Sequence, residues 1–216
     1  PKWLEFRRVL FRSGKNRTGR SGIQTGRRTM ILPLMFISPR LLFREVTRLE
    51  APDLQALVDS VADRPELTSF GWVPLNVALE AEFPKLPDPM CDPDRCQLKM
   101  LIHIERDECI GWLKFCNGFP DERSCYLDEL FIVPEFRRQK FGTEAVERLH
   151  EVALDAEYER LVTQIDTRNT DLLRFFISCG IDRILGVSGG KSASAGSQAV
   201  LRLEKTSVPY WPWPVE

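Results

Sequence analysis

Residues 129–145 read ELFIVPEFRRQKFGTEA, and this stretch constrains the fold more than any other. The β-type run Leu130-Phe131-Ile132-Val133 halts at Pro134, which cannot donate to a central sheet ladder. Two arginines, a glutamine and a lysine follow, and after Gly142 a helix-period segment carries Ala145, Val146 and Leu149 on one face. A basic loop between a strand end and a helix N-terminus gathers unpaired N–H groups, the positive end of the helix dipole and fixed charge. That combination favours an anion, and phosphate above all.

The order of residues narrows the choice. Pro134-Glu135-Phe136 followed by Arg137-Arg138-Gln139-Lys140-Phe141-Gly142 resembles motif A of the GNAT superfamily, the acyl-CoA-dependent N-acyltransferases. The family pattern is an apolar strand, Pro-x-x, then Arg/Gln-x-x-Gly-x-Gly/Ala leading into a helix. Lys140 stands where the first glycine of that pattern sits. A second segment, NTDLLRFFISCGI at 169–181, is similar to the family's later Asn-x-x-Ala-x-x-Phe-Tyr-x-x-x-Gly-Phe motif. It matches at Asn169, Phe175 and Gly180, and varies at Leu172, Phe176 and Ile181. The resemblance spans about residues 41–205.

It implies an α+β fold with a mixed, mostly antiparallel sheet of about seven strands, in the order β-α-(α)-β-β-β-α-β-α-β-β. The periodicities fit that order. Strands are expected at 41–47, 97–105, 109–115, 124–133, 160–167, 184–187 and 198–203. Helices are expected from Ala51, with Leu54, Leu57, Val58 and Val61 inward, from Phe141 to about Glu157, and over Asn169–Cys179. Residues 66–95, broken by five prolines, give no regular pattern.

Composition adds bounds. With 43% hydrophobic and 28% charged residues the chain reads as one ordinary globular domain. No apolar run approaches the ~20 residues of a membrane-spanning helix. Six cysteines without a CxxC pair, and two unrelated histidines, predict neither a disulfide framework nor a metal site. Mostly reduced thiols in a cytoplasmic protein are expected instead. The net charge of −1 conceals nine Lys/Arg against one acid in residues 1–29, which leaves −9 on the rest. That segment reads as a disordered or non-native leader, a basic arm for nucleic acid, or a transit peptide. The acyltransferase domain is expected over 30–205, followed by a Pro/Trp-rich tail at 206–216 whose Trp211 and Trp213 suit surface packing.

The resemblance also assigns roles. Acetyl-CoA is the implied co-substrate, its phosphates held by Arg137, Arg138, Gln139, Lys140, Phe141, Gly142 and Thr143. One N–H of Phe131, Ile132 or Val133 would polarise the thioester carbonyl, with Asn169 and Phe176 also against the cofactor. An amine of pKa about 10.4 is about one part in 10³ neutral at pH 7, so a base is needed. Glu129 is the first candidate, sharing a strand face with Leu127 and Phe131, and Asp128, on the other face, is second. Where some relatives place a glutamate near the end of the fifth strand, this chain has Gln164, which cannot act as a base, and then Asp166. The family's usual proton donor to the leaving thiolate is a tyrosine, and Phe176 occupies its place; Tyr126, Ser178 or water are substitutes. The expected activity is acetyl transfer to a primary amine of a small molecule or protein by direct attack on the thioester. The alternative is an acyl-CoA-binding module with weak or no transferase activity. The acidic body suits a cationic acceptor, and the chain is expected to act as a monomer or homodimer without membrane or nucleic-acid partners.

Overall fold

The computed structural model describes residues 31–47, 49–62, 95–190 and 198–206. The basic segment 1–29, the irregular stretch 66–94, the loop 191–197 and the tail from 207 lie outside the described residues.

In chain order the elements are β1 (Met35–Ile37), β2 (Leu41–Glu45), α1 (Ala51–Ala62), β3 (Cys96–His103), β4 (Glu108–Asn117) and β5 (Ser124–Ile132). A single 3-10 turn (Pro134–Phe136) leads to α2 (Phe141–Asp155), β6 (Arg160–Asp166), α3 (Thr170–Ser178), β7 (Arg183–Gly190) and β8 (Gln198–Thr206). The strands form one sheet in the order β1-β2-β3-β4-β5-β6-β8-β7. Every described pairing is antiparallel except β5 with β6, where α2 makes the crossover that a parallel pair requires. The three-residue β1 adds one strand to the seven expected.

Periodicity explains the core. In α2, Ala145, Val146, Leu149, Val152 and Ala153 are all buried, as the spacing predicts, and α1 buries Leu54 and Val58. In the sheet Phe43, Leu101, Trp112, Leu113 and Phe115 are fully enclosed. Ahead of helix α1 the Glu50 carboxylate reaches back over the preceding turn. Glu50 accepts from the Thr47 N–H at 3.2 Å and its hydroxyl at 2.6 Å, and also takes both guanidinium nitrogens of Arg44.

Two irregularities in the central strands matter for the site. Cys109 pairs with Ile102 but Gly111 pairs with Leu101, so Ile110 is an extra residue in β4. Glu129 pairs with Lys114 but Leu127 pairs with Phe115, so Asp128 is an extra residue in β5. Strict alternation puts Glu129 on the face of Leu127; the bulge reverses that. Leu127 shares a face with Phe115, while Glu129 and Phe131 share the other with Lys114 and Trp112. Asp128 also leans to the Lys114 side, 3.3 Å from its ammonium.

The cysteines depart from the expectation of reduced thiols at one place. Cys96 and Cys116 face each other across β3 and β4, with Cα atoms 4.1 Å apart, and are joined as a disulfide. Their separation of 20 residues reflects strand register, to which a search for short CxxC spacings is blind. Cys109, Cys125 and Cys179 form no disulfide.

The Arg44 hydrogen bonds, outweighing burial and helped by Thr47, pull the Glu50 carboxyl from 4.5 down to about 2. A carboxyl whose folded pKa is depressed stabilises the fold above its unfolded pKa and loses that contribution as pH falls through the folded one. Unfolding by urea should therefore become easier between pH 4.5 and about 2, and Glu50→Gln should flatten that part of the stability curve. An identical pH slope in the variant would contradict the assignment.

Candidate active site

The parallel ladder between β5 and β6 is short. It runs from Ser124 opposite Arg160 to Leu127 opposite Thr163 and then stops. Beyond it β6 continues to Asp166 along β8, while β5 continues to Ile132 along β4. The two strands part at Leu127 and Thr163, where the Thr163 hydroxyl donates to the Leu127 carbonyl at 2.9 Å and closes the vertex. A cleft of about 770 Å³ fills the parting and runs on to the basic loop and α3.

The main chain of β5 is directed by the ladder on its other side. Val133 N–H donates to the Ile110 carbonyl at 2.9 Å. By alternation Phe131 faces β4 as well, so Ile132 and Leu130 turn their polar groups toward the parting. Of the three residues expected to offer an N–H, only Ile132 directs one into the cleft; Val133 does not line it. The Ile132 carbonyl is taken by Arg137 Nε at 2.8 Å, and that guanidinium lies 5.0 Å over the Phe131 ring. Arg137 thus serves the wall of the cleft. Burial lowers its pKa, against the pull of Glu135.

The loop is bent by two left-handed residues, Arg138 (φ 61°) and Lys140 (φ 67°). For residues with a Cβ this costs about 1–2 kcal/mol each, and Lys140 carries it where the motif has glycine. Lys140 is the N-cap of α2, whose first N–H groups have no intrahelical acceptor. Arg138 and Lys140 are exposed on the rim of the cleft, and neither forms an ion pair among the described residues. Phe141, Gly142 and Thr143 line the cleft behind them. A Cβ at Gly142 would sit 3.2 Å from the Phe175 ring, so this glycine lets α2 and α3 approach. The Thr143 hydroxyl is shared with the Cys179 thiol, which burial nevertheless pushes up. Gln139 does not line the cleft; its side chain donates to the Glu135 carbonyl at 2.9 Å.

The carboxylates are held differently. Glu129 accepts from the buried Trp112 indole N–H at 2.7 Å, and Trp112 stacks on Phe131 with ring centroids 4.2 Å apart. Asp128 is paired with Lys114. Asp166 is bound in fork fashion by Arg168 at 2.6–3.2 Å, and the Gln164 amide faces Arg202, 2.8 Å away. All four line the cleft.

On the far wall Asn169 caps α3 by accepting from Leu172 N–H at 3.0 Å, and Phe176 is buried at 4% exposure. Among the described residues no tyrosine lines the cleft. Tyr126 packs with Phe119, Cys116 and Val162 instead, and Ser178 donates to the Phe175 carbonyl at 2.6 Å. Neither offers its hydroxyl to the cleft. Thr163, Phe175 and Trp112 were missed by sequence reasoning. Phe175 matched a motif but was assigned no role; Thr163 depends on where β5 and β6 part and Trp112 on the β4–β5 register, which no local spacing encodes.

The arrangement can take an extended, amide-bearing arm in the parting, an anion at the loop, and a nucleophile near Glu129. A family model described as the acetyltransferase (GNAT) family matches residues 66–181. Among solved structures, an acetyltransferase from Thermus thermophilus is similar at a TM-score of 0.55 and 20% identity, covering 77% of this chain and 97% of that one. The spermidine N-acetyltransferase SpeG, as a chimera from Vibrio cholerae and hSSAT, gives 0.58 at 15% identity, covering 77% and 95%. The microcin C7 self-immunity acetyltransferase MccE, in complex with acetyl-CoA and AMP, gives 0.59 at 13% identity, covering 78% and 93%. At these identities the likeness is one of fold. Comparison of the sequence with curated proteins finds no match.

Gly111, opposite Ile132 at the β4 bulge, has φ 156°, and a Cβ there would lie 1.9 Å from the Phe131 carbonyl oxygen. Gly111→Ala should therefore displace β5 and cost on the order of 2 kcal/mol or more in urea unfolding. Unchanged stability would show that the strand has slack the geometry denies.

Proposed function

We propose that this chain, which belongs to the GNAT acetyltransferase family, transfers an acetyl group from acetyl-CoA to a primary amine by direct attack of the amine on the thioester. The observation that carries the reading is the parting of β5 from β6, with the basic loop at one end and Glu129 on its wall. We take residues 30–205 as the catalytic domain.

The residues present fit the co-substrate. A parted strand is an open edge, and an arm built of amides can pair with it as a further strand. The Ile132 N–H and the Leu130 main chain are the groups available for that pairing. At the loop, the N–H groups of Lys140 to Thr143 and the charges of Arg138 and Lys140 suit a pyrophosphate, and Gly142 keeps the floor free of a side chain. Acetyl-CoA supplies an acyl carbon already activated by a thiolate leaving group. The chain supplies orientation, an N–H at Ile132 for the oxyanion, and a carboxylate for the proton of the amine.

Among the acids, Glu129 is the base we assign. Its indole hydrogen bond anchors the carboxylate to the wall and fixes its orientation along the cleft. Asp128 is neutralised by Lys114, and Asp166 is occupied by Arg168. The acceptor is assigned as a cationic amine of a small molecule or a protein, on the net acidity of the residues beyond 29.

A second reading is favoured by one observation. Phe176 is buried where the family motif has a proton-donating tyrosine, and among the described residues no tyrosine lines the cleft, so the chain would bind acyl-CoA and turn it over slowly or not at all. Thiol release from acetyl-CoA across a panel of amines separates the readings. Turnover supports the first; tight binding without release on any amine supports the second. Phe176→Tyr raises kcat if the missing acid limits the rate.

Glu129→Gln should lower kcat about 10²-fold near pH 7. The deficit should shrink as pH rises toward the amine's own pKa, because the neutral nucleophile then forms without a base. A deficit independent of pH would remove Glu129 from proton transfer.

A further inference from the structure

The cofactor loop holds a left-handed turn without glycine, and the structure contains a brace for it from outside the matched segment. The turn between β1 and β2 brings Arg40 against the loop, 99 residues away in sequence. Arg40 Nη1 donates to the Gln139 carbonyl at 3.1 Å, and the guanidinium lies 4.2 Å over the Phe141 ring. The same guanidinium is fixed by Glu144 in the first turn of α2. Glu144 Oε2 accepts from Arg40 Nε at 2.7 Å, and Oε1 accepts from Arg40 main-chain N–H at 2.8 Å and from the Ser38 hydroxyl at 2.6 Å. Glu144 is little exposed, at 14%; burial pushes its carboxyl up, but these donors bring it below the usual carboxylate range. It is thus a committed anion that no part of the catalytic reading uses.

The consequence lies in the peptide between Gln139 and Lys140. In a trans peptide the carbonyl and the N–H point in opposite directions. Holding the Gln139 carbonyl on Arg40 turns the Lys140 N–H the other way, and Lys140 lines the cleft whereas Gln139 does not. Lys140 must hold φ 67° for this, and a residue with a Cβ stays there only when its surroundings over-determine it. Glycine would hold it without help.

We propose that Arg40 is a positioning residue for the phosphate-binding loop, and that it replaces the conformational ease of the glycine missing at Lys140. The Ser38–Arg40–Glu144 brace fixes the peptide that presents the Lys140 N–H to the ligand. Its binding readout rests on the acetyl-CoA reading above.

The test is a double-mutant cycle read by calorimetric binding of acetyl-CoA, with amide exchange of the loop as a ligand-free readout. Arg40→Ala should raise the acetyl-CoA Kd about tenfold. Arg40→Lys, which keeps the charge but cannot engage both Gln139 and Glu144, should do nearly the same. With Lys140→Gly already present, Arg40→Ala should cost less than about threefold, because glycine keeps the left-handed turn without a brace. In the ligand-free protein, Arg40→Ala should speed exchange at the amides of residues 139–141 while exchange in the strands is unchanged. An equal loss in both backgrounds, a parent-like Kd in Arg40→Ala, or unaltered loop exchange overturns the proposal. If the parent fails to bind acetyl-CoA, the cofactor reading falls, and loop exchange in Arg40→Ala decides the brace by itself.

Discussion

The molecule turns on the place where β5 and β6 stop pairing. Four residues of parallel ladder, Ser124 to Leu127, hold the two strands together, and the Thr163 hydroxyl ends the ladder by donating to the Leu127 carbonyl. Immediately after it, the extra residue Asp128 bends β5 toward β4. A sheet normally satisfies its polar main chain throughout. Here the interior of a sheet acquires an open edge, at Leu130 and Ile132, without becoming the rim of the molecule. The rest of the site is arranged around that edge: α2 and its basic loop at one end, α3 and Phe176 along one wall, and Glu129, held from behind by Trp112, on the other.

Holding such an opening takes reinforcement, and the reinforcement is aromatic and cationic. Phe136 and Phe141 are buried at 5% and 2%, edge-on to one another at 5.9 Å, with His103 against both. Arg106 lies over the Phe136 ring and Arg40 over that of Phe141. Arg137 spans from the loop to the Ile132 carbonyl and the Phe131 ring. Each arginine here joins a hydrogen bond or stacking contact to a charge, a combination the planar guanidinium provides and an ammonium does not. Such contacts hold Arg138 and Lys140 in backbone conformations that neither would choose alone.

Much of this was legible in the residues. The strand-stop at Pro134, the amphipathic face of α2 and the helix beginning at Asn169 all come from local chemistry, and local chemistry is what a sequence displays. So does the left-handed Lys140, because a lysine in a glycine position announces its backbone. What the sequence hid is register. Glu129 and Leu127 look like neighbours on one face until the bulge at Asp128 separates them, and a bulge adds a residue without a compositional mark. Tyr126 and Ser178 looked able to replace the missing tyrosine, yet tertiary placement turns both away from the cleft. Arg40 and Trp112 could not be found by spacing at all, since each acts through a partner that only the folded sheet brings near.

The most direct test follows the main-chain amides while acetyl-CoA is titrated, by nitrogen–proton correlation spectroscopy of the full chain. Large shifts are expected at Ile132, at Lys140 to Thr143 and at Leu130. Val133, whose N–H is spent on Ile110, should move little. Saturation without movement of Ile132 and the loop, or shifts confined to another face, would contradict the claim that the parted strands and the basic loop form one acyl-CoA site.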